Sequence, residues 1–316
     1  MERRAFLTTI GVGLTAAGGC LSPGSADSQA TDPSTDTTQS TGRDRFEGAL
    51  VETGETVERT VGTGTLKERG RRRPHRVAIT NSTDERKRVT VSLERSGTTV
   101  LAEAFTLRSA ATVEIALTEL GRYALTVTVP AADATETISL GPDHFTCNVT
   151  KTSIGIQDDG SLDVLSTSTR MACPGVVTEE VSADAVASRP LGADSSDDDR
   201  EETTHGVSLR NESDRTWTAR LLVDSDAGPL FDGVYTVAPG GRVRLTLAER
   251  GTYSVSFDVL ETGETATEAV PSSSFDCNKS STRATIDADG ELSVSTMTTL
   301  MAWPEPTPDT TTNSSS

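Results

Sequence analysis

VEIALTELGRYALTVTV, residues 113–129, and VRLTLAERGTYSVSFDV, residues 243–259, are the two stretches on which the fold turns. In the first, Val113, Ile115 and Leu117 alternate with other residues, and after a short break Leu125, Val127 and Val129 do so again. The second repeats the pattern with Val243, Leu245 and Leu247, then Val255, Phe257 and Val259. Successive side chains of a strand point to opposite faces, so each run specifies a strand with one buried face and one wet face. The breaks read Glu119-Leu120-Gly121-Arg122-Tyr123 and Glu249-Arg250-Gly251-Thr252-Tyr253.

Working outward, the match between the two stretches extends over most of the chain. A shift of about 130 positions overlays His75 on His205, Asn81 on Asn211, Phe145 on Phe275, Cys147 on Cys277, Gly160 on Gly290 and Met171 on Met301, and roughly a quarter of the overlaid positions are identical. The chain therefore contains a duplicated domain. Val89, Val91 and Leu93 add another alternating run, and Leu162 and Val164 follow Asp159-Gly160 just as Leu292 and Val294 follow Asp289-Gly290. Asp-Gly suits a tight hairpin turn. Short strands separated by turn residues, about seven or eight per copy, predict a β-sandwich.

The acidic-x-Gly-x-Tyr-x-apolar breaks resemble the corner between strands E and F of immunoglobulin-like domains. The resemblance implies that the Tyr123 and Tyr253 hydroxyls bond back to the main chain and close a crossing between sheets. The cysteine pair and core Trp of antibody domains have no counterpart, so a cupredoxin-like or transthyretin-like sandwich satisfies the pattern as well. The expected fold is all-β, with two tandem immunoglobulin-like or related Greek-key sandwiches. The expected boundaries are a signal peptide at 1–20, a low-complexity stalk and linker at 21–72, sandwiches at 73–178 and 204–304, an acidic linker at 179–203 and a disordered tail at 305–316. Arg71, Arg72 and Arg73 fall at the end of the first linker and read as a solvated run.

The compartment is written at the amino terminus. Arg3 and Arg4 precede a short, weakly apolar run that ends in Gly18-Gly19-Cys20. A charged start, a short apolar stretch and a small-residue exit form an export signal, too short to span a bilayer. The paired arginines resemble a twin-arginine signal, and the residues before Cys20 resemble a lipobox, which implies a lipidated Cys20 as the membrane anchor. The 316-residue chain has 47 acidic against 29 basic residues, a formal charge of −18, and its lysines are only Lys67, Lys87, Lys151 and Lys279. Such a balance excludes a nucleic-acid footprint, which needs clustered Lys and Arg. It fits a surface adapted to molar salt, where the Debye length shrinks to about 3 Å and carboxylates repel one another weakly. Taken whole, the chain resembles twin-arginine-exported lipoproteins of haloarchaea with tandem immunoglobulin-like domains, anchored on the outer face of the cytoplasmic membrane.

Few residues suggest chemistry. Cys147 and Cys173 lie in one copy and make the expected disulfide, while Cys277 is left unpaired or joins an interdomain bridge. His144, Cys147 and Met171 are copper-ligand types, but their order departs from the usual Cys, His, Met run and Ser274 replaces His144 in the second copy, so no metal is expected. Asp158-Asp159-Gly160 and Asp287-x-Asp289-Gly290 lack the remaining oxygens of a calcium loop and read as turns. Asn81, Asn148, Asn211, Asn278 and Asn313 begin Asn-x-Ser/Thr sequons and are candidate glycan acceptors; Asn81 and Asn211 also read as turn residues. No nucleophile elbow, zinc motif or phosphate loop is present. The expectation is a non-enzymatic surface lipoprotein without cofactor, serving envelope structure or contact with an envelope protein or glycan. The rival expectation is a solute- or metal-binding lipoprotein accessory to a transporter or electron-transfer chain.

Overall fold

The computed structural model of the chain describes residues 48–192, 204–276 and 278–299. Its strands form four five-stranded sheets, two per copy. In the first copy the sheet order is β1 (Ala49–Val51), β5 (Thr98–Leu107), β4 (Lys87–Arg95), β7 (Tyr123–Val129) and β8 (Ala134–Leu140). The facing sheet runs β10 (Leu162–Ser168), β9 (Thr150–Ile156), β3 (His75–Asn81), β6 (Thr112–Leu117) and β2 (Thr56–Val61). The second copy repeats the plan with β11 (Val176–Val181), β15 (Gly228–Val237), β14 (Trp217–Ser225), β17 (Tyr253–Val259) and β18 (Thr265–Val270). Opposite them lie β12 (Val186–Leu191), β16 (Arg242–Leu247), β13 (His205–Asn211), β19 (Lys279–Ile286) and β20 (Leu292–Thr299).

The all-β tandem arrangement matches the sequence reading, and the alternating residues make the cores. Val113, Ile115, Leu117, Leu125 and Val127 are buried with Leu93, Phe105 and Phe145 in the first sandwich. Val243, Leu245, Leu247, Val255 and Phe257 are buried with Trp217, Tyr235 and Phe275 in the second. Burying one such side chain stabilises by roughly 1.5 to 3 kcal/mol, so these two clusters are the main favourable term.

The boundaries and the strand count move. Each sandwich has ten strands rather than seven or eight, because the segments read as linkers supply strands. β1 and β2 come from residues 21–72 and pair in parallel with β5 and β6. β11 and β12 come from residues 179–203 and the few before them, and pair in parallel with β15 and β16. Apart from β1, which reads Ala-Leu-Val, they mix apolar with polar or charged residues, as suits edge positions where one side of a strand meets the core; Pro190 sits on such an edge, at β12, where a missing N–H is tolerated.

Both sandwiches belong to one compact unit, and the segment between β2 and β3 joins them. A single helical turn, α1 (Thr65–Glu68), inserts Leu66 into the first core. The chain then runs across the outer face of β14 and β15. This explains why β14 is buried on both faces from Trp217 to Val223, whereas the equivalent β4 alternates between buried and wetter positions.

Candidate functional site

The densest grouping of charged side chains lies at that junction. Asp232 on β15 is fully buried and accepts from Arg220 Nε at 3.0 Å and Nη2 at 2.8 Å, from Arg72 Nε at 3.1 Å and from the Arg71 main-chain N–H at 2.8 Å. Burial opposes its ionisation, but Arg220, Arg72 and the Arg71 N–H outweigh that and hold the carboxyl below the usual range. Arg72 also donates to the carbonyls of Phe145, Val177 and Asp232 and to Thr178 Oγ1. Arg69 adds a 3.4 Å pair with Asp258. Gly70 makes the approach feasible: its φ is +78°, and a Cβ there would stand 3.0 Å from Leu222 Cδ2 and closer still to Asp232 and Arg220.

The solvated reading of Arg71 to Arg73 is therefore corrected for Arg72, whose side chain is inaccessible. Both Asp232 oxygens and all three Arg72 guanidinium nitrogens are bonded to protein, so these groups act as a clamp that ties the crossing segment to β14 and β15. Sequence reasoning missed Asp232 because an Asp in an acidic chain carries no signal. The unbroken apolar run Leu221-Leu222-Val223 is the sequence signal that could have pointed to a strand buried on both sides.

The other predicted residues fall in place around the two cores. Cys147 and Cys173 form a disulfide, with Cα atoms 5.7 Å apart, beside the passage from one sandwich to the other. The Cys147 sulfur is thus bonded to sulfur and cannot serve as a copper thiolate; Met171 is exposed, and His144 Nδ1 meets Asp143 and the Gly141 N–H. Among the described residues no group of three or more His, Cys, Asp or Glu could hold a metal ion. Asp159 accepts from the Ser161 N–H, and Asp287 accepts from Asp289 and Glu291, which makes both Asp-Gly segments hairpin turns. The Tyr123 hydroxyl donates to the Glu119 carbonyl and Tyr253 to that of Glu249, each at 2.8 Å.

Two candidate glycan acceptors are corrected. Asn81 and Asn211 are wholly buried, and their amide nitrogens donate to main-chain carbonyls: Asn81 to Glu85 and Leu107, Asn211 to Arg215 and Val237. A nitrogen bonded in this way inside the fold has no room for a sugar. Asn148 is partly buried and bonds the Met171 carbonyl, while Asn278 stays near the surface beside Asp276. Arg3, Arg4, Cys20, Cys277 and Asn313 lie outside the described residues.

His75 and His205 occupy equivalent buried places. His75 bridges Thr150 and Thr152 at 2.8 and 3.1 Å, and His205 bridges Ser280 and Thr282 at 2.8 and 3.0 Å. Burial pushes both imidazoles down to about 4, so they are neutral and tie β3 to β9 and β13 to β19.

No family model matches the sequence, and no curated protein does. Solved structures that it is similar to include catechol 1,2-dioxygenase from Acinetobacter sp. ADP1, inhibited by bound mercury. That likeness has a TM-score of 0.22 and 9% identity and covers 39% of this chain and 61% of that one, less than two thirds of its length, and carries no argument. The site must be read from its own geometry.

Two sheet faces then stand out, because the duplication lets them be compared position by position. The outer face of β2, β6, β3, β9 and β10 carries Glu58, Glu114 and Asp163 with Arg76 and Lys151, and Glu114 pairs with both of those cations. Beside it, a cleft of about 560 Å³ is lined by Arg59, Arg71, Arg73 and Arg76 and by Glu58 and Glu114. The matching face of the second copy, on β12, β16, β13, β19 and β20, presents Arg210, Arg242, Arg244 and Arg283 and no acidic side chain. A shallower depression of about 350 Å³ opens among these arginines over Gly206 and Ser208, with Glu212, just beyond β13 and paired with Arg210, as the one acidic residue in its lining.

Proposed function

We propose that the chain is an exported, lipid-anchored surface protein whose paired sandwiches act as a non-enzymatic interaction module of the envelope. The observation that carries the reading is the buried clamp of Arg72, Asp232 and Arg220, which commits the most costly polar groups of the protein to fixing one sandwich on the other. A buried charge is stabilised only when it is paired and fully hydrogen-bonded, and here that expense holds surfaces in register rather than preparing a reactive group. The amino-terminal pattern of Arg3, Arg4 and Cys20 supports export and anchoring, and the acidic composition supports a salt-rich setting. The cysteine bridge fits an oxidising exterior.

Fractionation of cells that make the Cys20→Ser chain tests the anchor. The substituted protein should leave the membrane and appear in the medium, and one that stays membrane-bound removes the lipid from the account. Cross-linking on intact cells, followed by identification of what is attached, tests the interaction role; a chain protected inside the cell would not label.

A further inference from the structure

We infer that the arginine-bearing sheet face of the second sandwich is a binding site for an anionic polysaccharide, one that carries carboxylate or sulfate groups. The inference rests on the interaction reading above and names its site and ligand class.

The register of the sheet fixes the pattern. Arg210 on β13 stands directly opposite Arg242 on β16, and Arg244 lies two residues along β16 from Arg242. Arg283 on β19 stands in the same cross-strand row as Arg244, with Ser208 of β13 between them. Neighbouring strands are about 4.8 Å apart and same-face residues along a strand about 7 Å, so the four guanidinium stems rise from one small lattice. Arg210 pairs at 3.4 Å with Glu212, and Arg242, Arg244 and Arg283 make no ion pair among the described residues.

Like charges directly opposite each other across strands destabilise a sheet, so this arrangement costs stability unless an anion occupies it. Chance is a poor account in a chain of net charge −18. The first copy shows what the same positions hold otherwise: Glu58, Glu114 and Asp163 correspond to Ser188, Arg244 and Ser293, and Thr80, Thr112 and Ser153 correspond to Arg210, Arg242 and Arg283. Those three acidic residues have gone and arginines replace three small polar residues, while Arg76 and Lys151 give way to Gly206 and Ser281 and Glu212 enters where the first copy has Ser82.

The surroundings select the class of anion. Outward positions between and beside the arginines include Gly206, Ser208, Thr246, Ser281 and Ser295, small or hydroxyl-bearing residues that let a chain lie along the sheet and bond its hydroxyls, while exposed Val186, opposite Arg242, and Met297, opposite Ser281, offer apolar contact to sugar rings. The face carries no aromatic side chain, so nothing is offered for stacking bases of single-stranded nucleic acid. A flat sheet also has no helix or ribbon to enter a duplex groove. Guanidinium groups bind planar carboxylates and sulfates through two parallel hydrogen bonds, which persist where salt screens simple attraction.

The test is calorimetric titration of the full chain with polygalacturonate, dextran sulfate and neutral dextran, and with a duplex oligonucleotide and poly-glutamate. Polygalacturonate or dextran sulfate should bind, the stronger of the two naming carboxylate or sulfate, neutral dextran should not, and affinity should fall as salt is raised. Arg244→Glu installs the residue that the first copy carries at its matching position; combined with Arg283→Ser it should weaken binding at least tenfold while the free chain melts no lower than before, because the like-charge repulsion is relieved. Arg76→Ser in the first copy should leave binding as it was. Binding by neither polyanionic sugar, equal binding by the Arg244→Glu, Arg283→Ser chain, or tighter binding of the oligonucleotide or poly-glutamate overturns the inference. So does a self-associated chain that the same substitutions dissociate. Because this assay needs no membrane, its failure is separable from failure of the Cys20 test.

Discussion

Asp232 shows how much can depend on one carboxylate. Replacing it with Asn or Ala leaves Arg72 and Arg220 buried without a counter-charge, which should destabilise by about 3 to 5 kcal/mol, measured as a lower denaturant midpoint. Exchanging all three for apolar residues of similar volume should cost far less, because the penalty comes from the orphaned charges and not from loss of the pair as such. His75 and His205 set a second residue-level expectation. Burial lowers both to about 4, below the unfolded value of about 6.5. The unfolded chain therefore takes up protons first as pH falls, so their contribution is complete above pH 6.5 and lost toward pH 4. Between pH 7 and pH 5 this amounts to roughly 2 kcal/mol for each histidine. Unfolding titrations at those two pH values should show the loss, and a His75→Gln, His205→Gln chain should be flatter across the same window. Glycopeptide analysis of the protein purified from the cells that make it should find Asn81 and Asn211 unmodified, since both amides are bonded inside the fold.

Among the strands, legibility followed how many faces each one buries. β6, β7 and β16 have one wetter face, and their alternation of Val, Leu and Ile is plain in the sequence; β17 is read the same way because its outer positions Ser254, Ser256 and Asp258 are still polar, although Ser256 and Asp258 are covered. β14 was harder to place because Thr218 and Arg220 look like solvent positions, yet they are covered by a segment more than a hundred residues upstream. β2 and β12 were read as linkers for the opposite reason: TVERTV and VASRPL are edge strands with no buried residue but Val61, their outward positions being Thr56, Glu58 and Thr60 in one and Val186, Ser188 and Pro190 in the other. Period-two reading finds a strand whose sides differ, and loses one that is buried all round or wetted almost all round. The arginine face could be seen in the repeat alignment, as Glu114 against Arg244, only once the register showed which neighbours share that face. At the corners, Tyr253→Phe removes one hydroxyl bond to Glu249 and should cost about 1 kcal/mol, read from equilibrium unfolding with an unchanged dependence on denaturant.

At the scale of the molecule, the clamp makes two folding units behave as one. Calorimetry should show a single transition for the intact chain, and the Asp232→Ala chain should resolve into two, with the sandwiches melting separately. The Cys147–Cys173 bridge closes a loop with a sequence separation of 26, worth about 3 to 4 kcal/mol on the chain-entropy view, so reduction should lower the single transition of the intact chain and, in the Asp232→Ala chain, the transition of the first sandwich more than that of the second. That bridge has a mechanical corollary. Cys173 is bolted back onto the first sandwich, and β11 of the second begins at Val176, so only Pro174 and Gly175 lie between the two bodies. Fully stretched, so short a leash reaches about 10 Å. If tension pried the clamp open, the halves could not drift apart, and the leash would keep each at a high effective concentration beside the other, which favours closing again.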